Sequence, residues 1–299
     1  MSSPQLALVL GSGTARGLAH IGVLKVCERE GLPIDLIVGT SIGALIGGAW
    51  ASGMAAQEIE EVALALGSWR LLLLADPALP NGALVKGRRV EAMIREHVGD
   101  STFADLPVPF ACVAADVVSR QQVVLNEGDL ASAIRASISA PLLFAPVARE
   151  ARLLVDGAVS NPIPVDVAKA MGADRVIAVT THGPLSTELP VYTTAADELD
   201  SDAPTVRGFS EAAYSKALSL VERTLEPSSV RQVTSASLGL MQCGLAEAQL
   251  RAADLVIAPR LDGSHFYSFH EAAKLIAAGE RAAEAALVGL EKLRAARYV

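Results

Sequence analysis

Apolar residues along this chain fall into short unbroken runs, set apart by glycine, proline and polar turns, and the runs alternate with longer stretches of helical period. Leu6 to Leu10 is the first such run. Bounded by a glycine turn and without polar alternation, it predicts a strand covered on both faces of a parallel sheet. Gly11-Ser12-Gly13-Thr14-Ala15-Arg16-Gly17 follows, then a helical stretch from Leu18 to Glu30 that stops at Gly31, then a β-branched run from Leu36 to Val38. Strand, glycine loop, helix and strand make a βαβ unit within the first forty residues.

The pattern continues with helices over Met54 to Leu74, turns at Asp76-Pro77 and Pro80-Asn81-Gly82, and an amphipathic helix from Val90 to Val98 after Gly87-Arg88-Arg89. The Lys86, Arg88 and Arg89 cluster reads as a solvated helix start, with a place at a substrate mouth as the alternative. Phe110 to Ala115 and Gln121 to Leu125 predict a hairpin through Val118-Ser119-Arg120. A helix over Leu130 to Ile138 stops at Ser139-Ala140-Pro141, and Leu153 to Val155 forms a strand running into Asp156-Gly157-Ala158. Asn161-Pro162-Ile163-Pro164 connects to a helix from Val165 to Met171, and Arg175 to Thr180 and Leu255 to Pro259 read as strands. Phe269 to Ala296 reads as one long alanine-rich helix. Gly183 to Ala203 is polar and turn-rich, which predicts a mobile surface insertion, and Phe209 to Leu250 is mostly helical. The expected organisation is one domain over residues 1–299, with 183–250 as a helical cap insertion. No internal repeat or linker divides it.

Within this pattern Gly39-Thr40-Ser41-Ile42-Gly43 stands where a strand turns sharply into a buried helix. G-x-S-x-G in that setting is the pattern of a nucleophile elbow. The turn strains the serine backbone, so small residues must flank it, and Gly39 and Gly43 meet that demand. The following helix would aim free N–H groups and its positive dipole end at Ser41, favouring negative charge there during acyl transfer. The competing reading is a glycine-rich packing turn.

Composition narrows the classes. The 299 residues carry 51% hydrophobic and 19% charged side chains, and the charged share lies below the roughly 25% of an average soluble domain. A large core, or apolar surface that meets a lipid or a partner, is implied. A net charge of −8 argues against nucleic acid and offers no pull toward anionic membranes. Cys27, Cys112 and Cys243 are widely spaced and odd in number, as buried thiols of a reducing, cytoplasmic-type compartment would be. The N-terminus lacks the basic start and apolar length of a signal peptide. The 22 uncharged residues between Asp35 and Glu58 include five glycines and read as a buried turn and helix, not a membrane span.

The glycine loop fits a nucleotide poorly: Arg16 stands where G-x-G-x-x-G needs its last glycine, Gly17 comes one residue late, and no Walker lysine is present. No cofactor is expected. An inward-turned glycine loop can instead cradle an oxyanion. Ser41 also needs a base. The order Ser41, Asp156, then His182 or His265 would satisfy an α/β-hydrolase, yet only one strand precedes the elbow strand and neither histidine stands in a loop that demands it. The alternative is a dyad in which desolvated Asp156, at a strand end, takes the proton itself.

These blocks together resemble the bacterial patatin-like phospholipases. Gly11 to Gly17 resembles that family's oxyanion loop, with Leu18 to Leu24 as the helix start after it, and Gly39 to Gly43 is similar to its elbow. Arg135-Ala136-Ser137-Ile138-Ser139-Ala140-Pro141, with Phe144 and Pro146, is similar to its third block, and Asp156-Gly157-Ala158 with Asn161 to Pro164 to its acid block. Four modest matches in order are specific, and they extend from residue 11 to about 166. The resemblance implies a three-layer α/β/α fold with a mostly parallel sheet, and a Ser41–Asp156 dyad hydrolysing acyl esters of lipids without metal. It also implies an oxyanion hole in the loop Gly11, Ser12, Gly13, Thr14, Ala15, Arg16 and Gly17, chiefly Gly13 and Thr14, with Arg16 stiffening it. Gly39, Gly43, Pro141 and Gly157 would shape the site. Ser12 and Ala158 stand where many members carry glycine. Any membrane contact would be peripheral, at the inner face, through apolar surface. A regulatory protein with little turnover and an acyltransferase are the rival functions; head group, acyl length and oligomeric state are not legible.

Overall fold

The computed structural model describes residues 5–73, 76, 85–182, 230–261, 264 and 268–295. The chain divides into two compact units, residues 1–183 with 242–299, and residues 184–241. Of the second, the described residues are 230–241, the first part of a helix over Val230–Leu250 (α7). The expected surface insertion and most of the expected cap lie outside the described residues.

The first unit holds the sheet, eight strands among the described residues. β1 (Leu6–Leu10), β2 (Leu36–Thr40), β3 (Phe110–Asp116), β4 (Gln121–Leu125), β5 (Val147–Arg149), β6 (Arg152–Asp156), β7 (Arg175–Val179) and β8 (Leu255–Ile257) lie in the order β5-β6-β3-β2-β1-β7-β8, with β4 also on β3. From β3 to β8 every pairing is parallel; β4 and β6 run antiparallel to β3, and β5 to β6. The sheet is thus mostly parallel, as expected.

Alternate residues of each strand serve opposite faces. On one face Leu6, Leu8, Leu10, Ile37, Phe110 and Ile177 pack with residues of α1 (Ala19–Arg29), α2 (Ile42–Ala51), α5 (Leu130–Ser137) and α8 (Ala272–Ala285). On the other, Ala7, Val9, Val38, Val113 and Ala178 pack with Val165, Val167 and Ala168 of α6 (Val165–Ala170) and Ala246 of α7. Two such cores, one on each face, make three layers, which explains why the central strands read as unbroken apolar runs. Two further helices are α3 (Ala56–Leu73) and α4 (Arg88–Val98), the latter started by Asp76, whose carboxylate accepts from the amides of Gly87 and Arg88 at 2.7 and 2.9 Å.

One expectation needs correction. The terminal helix is not continuous: a 3-10 turn (Phe269–Glu271) leads into α8, which ends before Ala286, and α9 (Leu287–Ala295) follows. The Ala286 amide bonds three residues back to Ala283, a tightened last turn, and Gly289 then lets α9 approach Leu255, whose Cδ1 would lie 2.9 Å from any Cβ there. The sequence does not foretell β5; three residues, two half-buried about an exposed Ala148, carry too little pattern to mark a strand.

What positions the site is the register on β3. β4 pairs along one edge from Cys112 to Asp116, so β2 and β6 share the other edge. β2 occupies it up to Val113, opposite Thr40, and β6 comes the other way, placing Asp156 opposite Ala114. Two strands therefore meet head-on, and Ser41, one residue past Thr40, arrives where β6 ends.

Candidate active site

Ser41 joins β2 to α2 with φ 57° and ψ −123°, a conformation that a residue with a side chain adopts only when its surroundings enforce it. The enforcement is visible on both sides. A Cβ on Gly39 would lie 2.5 Å from the Gly43 carbonyl oxygen, and one on Gly43 would run into the Leu10 carbonyl. The Ser41 amide donates to Ser137 Oγ at 3.0 Å, and Ser137 donates in turn to the Val113 carbonyl at 2.6 Å. Thr40 Oγ1 donates to the Asn161 carbonyl at 3.0 Å. The elbow is thus tied to β3 and to the acid block.

Ser41 Oγ donates to Asp156 Oδ2 at 2.6 Å. The second carboxylate oxygen accepts from the Ala158 amide at 2.8 Å, and the Asp156 amide donates to the Ser139 carbonyl at 2.9 Å. Asp156 is only 4% exposed. Burial raises its pKa from 3.8 to about 6, with the hydrogen bonds from Ser41 and Ala158 acting against the rise. A base with that value is ionised at neutral pH yet far more basic than an aqueous aspartate. Gly157 lies against the Val113 carbonyl, with no room for a Cβ.

The third block builds the wall behind Asp156. Arg135 is 2% exposed, and its guanidinium donates to the carbonyls of Lys86, Gly87 and Ala145 at 2.7 to 3.1 Å and to Ser139 Oγ at 2.6 Å. It also lies 4.9 Å from the Phe144 ring centroid. Burial lowers its pKa. Pro141 sits in the turn that this arginine closes, followed by Leu142 at φ 71°.

The glycine loop leaves β1 beside the elbow and returns so that Gly17 lies against the Ile42 side chain. Its first two residues are fully engaged: the Gly11 amide donates to the Val179 carbonyl at 3.0 Å, and the Ser12 amide to the Pro162 carbonyl at 2.8 Å. His20 Nε2 lies 2.7 Å from the Gly11 carbonyl. Beyond them the chain passes through Gly13 and Thr14, the latter at φ 51°, into a 3-10 turn over Thr14–Leu18. Among the described residues no protein group accepts from the Gly13 or Thr14 amides. A Cβ on Gly13 would run into Thr181 Oγ1.

The histidines do not complete a triad among the described residues. His182 Nε2 bonds Ser12 Oγ at 2.9 Å, His20 serves Gly11, His97 and His270 are exposed, and His265 lies outside the described residues. Ser137 and Ser139 lie in the third block that the sequence singles out, but their particular bonds are not legible there; His182 stands as a partner of Ser12 and not as a triad base, and Thr181, which no motif includes, is the support that sequence reading missed. Among the described residues no cluster of three or more His, Cys, Asp or Glu side chains could hold a metal, and no helix is long and apolar enough to cross a membrane.

Comparison with known proteins agrees with the motifs. Residues 8–169 match the model of the family described as patatin-like phospholipase. An uncharacterized NTE family protein of Mycobacterium bovis is 38% identical over 182 residues, which cover 61% of this chain and 50% of that protein. Neuropathy target esterase sws of Drosophila melanogaster is 32% identical over 198 residues, 64% of this chain and 14% of that protein. The human patatin-like phospholipase domain-containing protein 6 is 34% identical over 195 residues, with shares of 62% and 14%. The chain therefore spans about half the length of its mycobacterial relative. Among solved structures, VipD from Legionella pneumophila superposes with a TM-score of 0.49 at 11% identity, over 97% of this chain and 67% of that one.

Proposed function

Because this chain belongs to the patatin-like phospholipase family, we propose that it is a lipid acyl hydrolase that works through a Ser41–Asp156 dyad. The observation that carries the reading is the 2.6 Å bond from Ser41 Oγ to a buried carboxylate. Asp156 accepts the hydroxyl proton as Ser41 Oγ attacks the ester carbonyl, and the tetrahedral oxyanion is received by the amides of Gly13 and Thr14, which have no acceptor among the described residues, aided by the start of α2. The protonated Asp156 then returns its proton to the leaving alcohol. Water, activated by the same carboxylate, releases the acyl group from Ser41. The name of the Drosophila relative, an esterase, agrees with this chemistry.

The substrate we assign is an acyl ester of a lipid, met at a membrane surface by peripheral contact. Free Cys27 and Cys112, buried and with thiol pKa values pushed up by that burial to about 12, suit a reducing compartment such as the cytoplasm.

The carboxylate must be ionised to act as base, so kcat/KM for a short-chain p-nitrophenyl ester is expected to rise with pH through a midpoint of about 6, following Asp156. A steady-state pH profile measures it. A profile with its only midpoint near 7 or above would assign the proton to another group. Adding lysolipid or alcohol to the same assay reads acyl transfer against hydrolysis, and transfer in excess would make the protein an acyltransferase.

A further inference from the structure

The glycine loop carries one side chain that the dyad does not use and that its own backbone does not require. Ser12 and His182 are 2% and 6% exposed, and their Oγ and Nε2 atoms lie 2.9 Å apart. His182 stands three residues past the end of β7. The two residues before it take part in the same grip: Thr181 Oγ1 donates to the Ser12 carbonyl at 2.8 Å, and Thr180 Oγ1 accepts from the His182 amide at 3.1 Å. With its amide on Pro162, every polar group of Ser12 is held. The next residue, Gly13, is pressed against Thr181, so the direction of the following amides is set by where Ser12 is fixed.

Burying an imidazole and a hydroxyl costs free energy that their mutual bond only offsets, so a glycine facing an apolar residue would pack as well. What the pair adds is a fixed orientation. Burial, with the nearby charge of Arg16, holds the His182 ring neutral at ordinary pH, with one nitrogen able to donate and one to accept. We propose that Ser12 and His182 form a latch that positions the glycine loop, so that the Gly13 and Thr14 amides face the acyl oxygen bound at Ser41. Both are positioning residues, and the proposal rests on the hydrolase reading above.

The test compares wild type, His182→Ala, His182→Gln, Ser12→Gly and the Ser12→Gly/His182→Ala double variant. Turnover of the short-chain ester is counted per Ser41 titrated by a fluorophosphonate, and hydrogen exchange is followed in the peptide 11–17. His182→Ala and Ser12→Gly are each expected to lose about tenfold to a hundredfold in kcat per labelled site, with KM within about twofold. His182→Gln, whose amide still reaches Ser12 Oγ, recovers most of it. The double variant is no worse than the worse single one, since either change already opens the latch. Exchange in the loop quickens in His182→Ala and Ser12→Gly. The latch is rejected if kcat per labelled site stays within about twofold of wild type in either single variant, or if the two losses multiply. Ser12→Gly removes only a hydroxymethyl group, and carries the test should His182→Ala not fold. A wild type that neither labels nor turns over refutes the hydrolase reading; loop exchange then decides the latch, faster in the variants supporting it and unchanged rejecting it.

Discussion

Asp156→Asn is expected to melt above the wild type at neutral and alkaline pH while its ester turnover falls about 10⁴-fold. Both effects come from one observation, a carboxylate held in a buried site for its reactivity. Its pKa is raised from 3.8 to about 6, so the folded protein binds this proton more tightly than the unfolded chain. Stability from that proton is fully present below about pH 4 and lost as pH rises through 6; above 6 the buried charge costs on the order of 3 kcal/mol. Asparagine removes the charge and keeps the contacts, its oxygen accepting from Ala158 and its amide donating to Ser41 Oγ. The gain should therefore shrink to nothing as pH falls toward 4. His20 and His182, buried neutral with pKa values lowered to about 4, weaken wild type and variant alike as pH drops from 6.5, so the difference between the two melting curves is the quantity to read.

Gly43→Ala is expected to cost at least about 3 kcal/mol of stability and to leave little folded protein. Its added methyl would meet the Leu10 carbonyl group and, at 2.7 Å, the Gly11 carbonyl oxygen. These are backbone atoms of the last residue of β1 and the first of the glycine loop, which cannot rotate aside without disturbing that loop. Gly31→Ala is the control: φ is +58° there, but nothing lies within 4 Å, so only the backbone penalty of about 1 kcal/mol applies. Chemical denaturation of the two variants beside wild type measures the contrast. Near-equal losses would mean that the elbow yields to a side chain.

Much of this arrangement was legible in the sequence, because it is written locally. Leu6 to Leu10 and Arg175 to Thr180 read as strands since both their faces are covered, and the glycines around Ser41 mark the strained turn by their spacing alone. The sheet order was not legible. Nothing in the spacing of Ser41 and Asp156, 115 positions apart, says that β2 and β6 share one edge of β3 and meet end to end. The supports were hidden for the same reason: His182 is 170 positions from Ser12, and its polar pairing looks in sequence like any histidine after a strand. Ser137 and Ser139 lay inside a recognised motif, but their tasks, holding the Ser41 amide and the Asp156 amide, depend on α5 crossing β3. The break at Ala286 escapes a sequence reading because helix-forming residues, alanines before it and leucines after it, continue on both sides.

The most direct measurement is covalent labelling of the wild-type protein by a fluorophosphonate across pH, with the modified peptide mapped by mass spectrometry. The dyad predicts a single adduct on Ser41, a labelling rate that rises through a midpoint of about 6, and no adduct on Ser41→Ala or at a useful rate on Asp156→Asn. An adduct on another residue, or full-rate labelling of Ser41 in Asp156→Asn, would contradict it.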